Sequence, residues 1–203
     1  MRKCLMRVGI CLLLAATMWA AMLVIDGQTL QRKLIRLHVV AASDSEEDQN
    51  LKLLVRDAVV ESLREEMENA ADIHQAKVYL QENLPKIQAL ANRVLREAGC
   101  EKTAVVSLGC EEFPTRYYDT FALPAGIYEA LRIRIGEAAG QNWWCVVFPT
   151  LCVGATVEEF EATAQCAGLP DSLTDTLTGA EDYEVRFFLL DALGRLENFL
   201  HKG

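Results

Sequence analysis

Two cysteines, Cys145 and Cys152, stand with six residues between them in GQNWWCVVFPTLC, the stretch from Gly140 to Cys152, with Trp143 and Trp144 just ahead and Pro149 inside. Those residue types admit a disulfide staple, a thiol redox centre or an aromatic binding surface. Redox catalysis calls for two thiols close together at a helix start, where the helix dipole lowers a thiol pKa, and this spacing is too wide for it. A staple fits better, because Pro149 stops a strand and lets the chain turn back between the sulfurs. Closing that eight-residue segment contributes about 2.5 kcal/mol on loop-entropy reasoning. Two unbonded thiols packed as small apolar groups form the alternative that the sequence leaves open.

Other reactive groups are sparse. Cys100, Cys110 and Cys166 complete the five cysteines beyond the apolar N-terminus. A strand between Cys100 and Cys110 holds them about 25 Å or more apart, out of disulfide reach. His38, His74 and His201 have no second histidine or cysteine pair at ligand spacing, so neither a metal site nor a cofactor is expected. The acidic SDSEED run lacks the glycine and closing glutamate of a calcium loop and reads as a capped helix start. There is no G-x-S-x-G, and a grouping of His38, Asp44 and a nearby serine is the one triad that can be drawn. A lone strand histidine is more often structural than catalytic, so the chain is not expected to be an enzyme.

The first 25 residues bear on where these groups act. Arg2, Lys3 and Arg7 precede 18 uncharged residues, Val8 to Ile25. That is the pattern of an export signal, and it reaches the short end of a membrane span. Met22 stands where a small-x-small cleavage signal begun by Ala20 needs a small residue, so a cleaved signal and a retained anchor both stay open. Cys11 follows the bulky Ile10, against a lipoprotein. The 178 residues from Asp26 onward suffice for one exported domain, 26–203, with a core of its own. The leader holds three of the 20 basic residues and none of the 29 acidic ones, which leaves 17 against 29, a net charge of −12. That balance argues against nucleic acid and against adhesion to anionic lipid, so membrane contact is expected only through the N-terminal segment.

The elements that position the reactive groups follow from periodicity. LIRLHVVA, 34–41, alternates as a strand with Ile35, Leu37 and Val39 on one face and Arg36 and His38 on the other. Leu51, Leu54, Val55, Ala58, Val59, Leu63 and Met67 mark a helix. A second helix covers 73–83, Pro85 opens or kinks a third, and Gly99 stops it. TAVVSL, 103–108, is a short strand, and 114–127, with Pro114, Pro124 and Gly126, a long irregular loop. YEALRIRI, 128–135, and NWWCVVF, from Asn142, predict a hairpin joined by GEAAGQ. Thr156 and Glu159 cap a short helix, 168–182 is a polar connection, and a last helix from about Tyr183 carries Val185, Phe188, Leu189, Ala192, Leu193, Leu196 and Leu200 on one side. A small, largely antiparallel sheet of about four strands with helices packed on one face, the α+β class, is the simplest way to bury these stripes.

In a strand Trp143 and Trp144 point to opposite faces. Arg36, His38, Arg132, Arg134 and one tryptophan then share the face turned away from the helices. In an acidic protein such a cationic and aromatic cluster is a candidate docking surface. A solvated face with one tryptophan lying under the 114–127 loop is the alternative.

IRLHVVAASDSEEDQNLKLLVRD, LPAGIYEALRIRIGEAAGQNWWCVVFPTLC and YEVRFFLLD resemble, in order, the signature segments of the stage II sporulation protein R family. The likeness spans nearly the whole exported part. Ala42 stands where asparagine is usual and Thr150 where a second proline is, and neither change removes a charge, a tryptophan or a cysteine. The resemblance implies an exported signalling protein of endospore-forming bacteria, acting between forespore and mother cell. It would trigger a membrane-embedded aspartic protease that removes the pro-sequence of sigma E. A cell-wall glycan binder that stacks sugars on the tryptophans is the alternative reading.

Overall fold

The computed structural model describes residues 2–150, 157–178 and 185–201. In chain order the elements are α1 (Arg2–Lys33), β1 (Ile35–Val40), α2 (Glu46–Asn69), α3 (Ile73–Glu97), β2 (Ala104–Phe113), β3 (Arg116–Tyr117) and β4 (Ala122–Leu123), then β5 (Gly126–Ile135), β6 (Asn142–Phe148), α4 (Val157–Cys166), α5 (Asp171–Thr178) and α6 (Val185–His201). Four strands form one sheet in the order β2-β5-β1-β6, while β3 and β4 make a separate two-stranded ribbon. β1 runs parallel to β5, and the β1–β6 and β2–β5 pairings are antiparallel. The α+β class with a largely antiparallel four-stranded sheet therefore holds, but helices cover both faces and not one, because α1, α4, α5 and α6 pack on the side opposite α2 and α3.

The expected hairpin does not. β5 and β6 are not neighbours, because β1 lies between them. The connection instead crosses the end of β1, where the Ala139 N–H donates to the Ala42 carbonyl at 3.2 Å and the Gly140 N–H to the Ala41 carbonyl at 3.0 Å. A Cβ on Gly140 would overlap the Ser43 backbone carbonyl, which is why a glycine stands there. Strand alternation looks the same whether the partner is the next strand or the next but one, so the sequence pattern favoured the shorter connection.

The apolar faces go where alternation put them. Ile35, Leu37, Val39, Leu131, Ile133 and Ile135 form one core with Val55, Val59 and Leu63 of α2 and Leu80, Ile87 and Leu95 of α3. Pro85 sits inside α3, which runs as one helix where two were expected. The opposite sheet face carries a second core, with Leu23 and Leu30 of α1, Phe113, Tyr128, Val146, Phe160 of α4, Leu173 and Leu177 of α5, and Phe187 and Leu190 of α6. The helix α5 lies in what reads as a polar connection, and it is held by inward-turned Leu173 and Leu177.

Ser45 caps α2, accepting from the Asp48 N–H at 3.2 Å. Asp48 is only 3% exposed, and its carboxylate accepts from Lys102 Nζ and from Ser43 Oγ, each at 2.5 Å. The Lys102 hydrogen bond, then that from Ser43, hold the Asp48 carboxyl below the ordinary range against the opposing effect of burial. A carboxyl whose pKa is lower folded than unfolded stabilises the native state above the unfolded pKa, and that contribution is lost as pH falls through the folded value. Thermal stability is thus expected to fall as the pH drops below about 4, and Asp48→Asn to flatten that part of the profile. Melting curves of the two proteins that stay parallel from pH 6 downward would contradict this.

Candidate functional site

Strand register lays the residues of the second sheet face in rows. Ser107, Arg132, His38 and Trp144 stand side by side across β2, β5, β1 and β6, and Val105, Arg134, Val40 and Asn142 form the next row. A third row, Gly109, Ala130, Arg36 and Val146, lies on the other side. Arg36, His38, Arg132, Arg134 and Trp144 thus share one face, as alternation predicts, while Trp143 lies on the opposite face against the α2–α3 core.

That face is not open throughout. Arg36 is 0% exposed, with its guanidinium 4.2 Å from the centre of the Phe113 ring and 5.0 Å from that of Tyr128. Its Nη2 donates to the Tyr118 hydroxyl at 2.8 Å, while Nε and Nη1 have no hydrogen-bond partner among the described residues. Tyr128 is buried too, and desolvation pushes its phenol pKa upward. His38 is buried as well: Nδ1 lies 2.8 Å from Glu111 Oε2, Nε2 lies 2.7 Å from Asn142 Oδ1, and the ring stacks on Trp144 at 3.9 Å. The expectation that Arg36 and His38 meet a partner from an exposed sheet face is corrected, because the second core and the β3–β4 ribbon cover their row ends. The triad of His38, Asp44 and a serine is not assembled either. Asp44 accepts from the Gln141 N–H instead, and both His38 nitrogens face other groups.

What stays accessible is the end of the face formed by Val105, Ser107, Arg134 and Asn142, all exposed, with Arg132 half-buried among them. Glu111 organises it by pairing with Arg132 Nη1 at 2.9 Å through one oxygen and with His38 through the other. Among the described residues Arg134 makes no such pair, and it projects as an exposed cation. Trp144 borders this patch and Trp143 lies across the sheet from it, and neither offers an open ring. Arg56 lies over Trp143 at 4.2 Å, and Trp144 is held between His38 and Arg116, the latter 5.4 Å away. Burial, and repulsion by Arg36, press the Arg116 pKa down, although Tyr118 opposes this. Sugar stacking on either indole would have to displace these cations.

Glu111, Phe113, Asn142 and Tyr118 are the residues the sequence reading passed over. Ending β2 at Leu108 removed Glu111 and Phe113 from the face, although the period of two, carried on past Gly109, places both beside Arg132 and Arg36. Cys145 is buried and disulfide-bonded, whereas Cys152 lies outside the described residues. Cys11, Cys100, Cys110 and Cys166 are free thiols, in keeping with the separation of Cys100 from Cys110. Among the described residues no group of three or more histidine, cysteine or acidic side chains gathers as a metal site.

A family model described as stage II sporulation protein R matches residues 31–158. Stage II sporulation protein R of Bacillus subtilis (strain 168) is 32% identical over 180 residues, covering 80% of this chain and 80% of that protein. No solved structure matches the chain.

Proposed function

Since the chain belongs to the stage II sporulation protein R family, we propose that it is an exported, non-enzymatic sporulation signal that activates the membrane-embedded aspartic protease processing pro-sigma E in the mother cell. The observation that carries the reading is the family match itself, whose span of 31–158 contains β1, β5 and β6 and every residue of the open patch. An apolar N-terminal helix supports export, and the space between forespore and mother cell is the compartment this role requires. We place the protease contact on Arg134, Arg132, Ser107 and Val105, bordered by Trp144 and with Trp143 across the sheet from it; His38 stacks beneath Trp144, and Arg36 acts on it through Phe113 and Tyr118. A disulfide between Cys145 and Cys152 belongs to the same proposal and would tie down the end of β6.

The test is co-expression with a cognate protease and its sigma precursor in a non-sporulating host. Precursor cleavage should depend on this chain. Arg134→Glu should reduce cleavage about tenfold, roughly 1.4 kcal/mol of lost association, without shifting the melting temperature, because Arg134 is exposed and pairs with nothing that the fold needs. Full cleavage by the folded Arg134→Glu, Arg132→Gln double variant would exclude this face. No cleavage by the exported, folded parent would exclude the trigger role.

A further inference from the structure

The helix α6 wears its apolar side outward. Phe188, Leu196, Phe199 and Leu200 are 63%, 53%, 74% and 68% exposed. With Ala192 between them they recur every three or four residues, a continuous stripe along one side. A surface helix ordinarily turns such a stripe inward, as the sequence pattern led one to expect here. The side that does face inward is fixed by contacts an apolar side could not make. Asp191 accepts from the Ala125 N–H at 2.8 Å and from the Thr115 hydroxyl, and Gly194 lies so close to the Ala125 carbonyl that any Cβ would overlap it. The helix therefore cannot roll over to bury Phe199.

The neighbour of α6 identifies what covers the stripe. Arg186 pairs with Asp26 at 2.7 Å, Leu190 lies against Gly27, and Glu197 accepts from Gln31 at 2.7 Å. Those contacts advance five residues along α1 and eleven along α6, about 7.5 Å against about 16.5 Å at 1.5 Å per residue. From Met6 onward α1 is long and apolar enough to cross a membrane, and almost none of that surface is covered by protein. If α1 stands along the bilayer normal, α6 leaves the level of Asp26 at a shallow slope. Over the stripe itself, Phe188 to Leu200, that slope gives a rise of about 8 Å, close to the thickness of one headgroup layer, about 5–7.5 Å. The charges are sorted in the same sense. The acids Asp191 and Glu197 are turned inward and bonded, Asp191 also to Arg195 at 2.8 Å, so the outer side of α6 carries no acid, and Arg195, paired at its inner edge, and His201 are its exposed basic groups, in a chain of net charge −9.

We propose that α6 is an interfacial helix, its Phe188–Leu196–Phe199–Leu200 stripe seated in the headgroup layer of the bilayer that α1 enters. An apolar stripe flanked by exposed basic groups is the pattern of helices that lie in that layer. The inference goes beyond the protease reading and does not depend on it. It revises the expectation that only the N-terminal segment meets lipid, because whole-chain charge averages over a face that has none of the exposed acids.

The full chain is reconstituted into vesicles of phosphatidylcholine and phosphatidylglycerol carrying a diazirine-labelled lipid, and adducts are mapped by mass spectrometry after illumination. Two labelled regions are expected, one on α1 and one within 186–201. A Leu196→Glu, Phe199→Glu variant, altered only at exposed positions, should lose at least about fivefold of the α6 label while keeping that on α1. Label confined to α1 in the parent overturns the proposal. So does α6 free of label but protected from hydrogen exchange in proportion to protein concentration, which would make a second copy the occupant.

Discussion

Gly140→Val is expected to cost about 3 kcal/mol or more and to lower the melting temperature by about 6–12 °C. The valine would drive its Cβ into the Ser43 carbonyl, a backbone atom with nowhere to retreat. Ser43 is held by its own hydrogen bonds to Ser45 and Asp48, and Gly140 by its bond to Ala41. Relief on one side breaks the cap of α2; relief on the other frees the β5–β6 connection from β1. The measurement is urea unfolding followed by far-UV circular dichroism. A midpoint within about 0.3 M of the parent would show that the connection is not pinned as described.

Arg36 supplies the second test, a contrast between two substitutions. Arg36→Ala should destabilise by about 3 kcal/mol, since it empties a fully buried site between Phe113 and Tyr128. Arg36→Met should leave stability unchanged or raised. Among the described residues no carboxylate pairs with this guanidinium, and two of its nitrogens lack any acceptor. Buried charge without a counter-charge is costly, and an apolar side chain of similar length fills the space without that cost. Against this stand the attraction of two aromatic faces, about 1–2 kcal/mol together, and one bond to Tyr118. Equal destabilisation by alanine and methionine would mean that the charge itself contributes.

Faces were legible in the sequence and neighbours were not. Alternation alone put Ile35, Leu37 and Leu131 on one side and Arg36, His38 and Arg132 on the other, because side-chain direction is a local property of a strand. Whether β6 pairs with β5 or β1 depends on a six-residue connection crossing a strand end, and nothing in GEAAGQ distinguishes the two. Exposure was misjudged for a related reason. The sequence marks Arg36 as polar, but its burial is decided by Phe113, Tyr128 and the ribbon, which lie far off in the chain. For α6 the apolar stripe was found and its direction was not, since Gly194 and Asp191 set the inward side and neither is apolar enough to count in a periodicity.

The helix α1 passes Ile25 and Asp26 without a break. Severing it there would leave a stub, Asp26 to Lys33, of about two turns, too short to stay wound on its own. The stub is nevertheless clasped, by Leu30 in the second core, by Asp26 on Arg186 and by Gln31 on Glu197. Processing would take only Leu23 from that core, about 2 kcal/mol, so release from the membrane asks for no refolding. Left uncut in a bilayer, the same rod would have no swivel, and with α6 against the headgroups the bearing of the domain would be set at two points and not by a flexible tether.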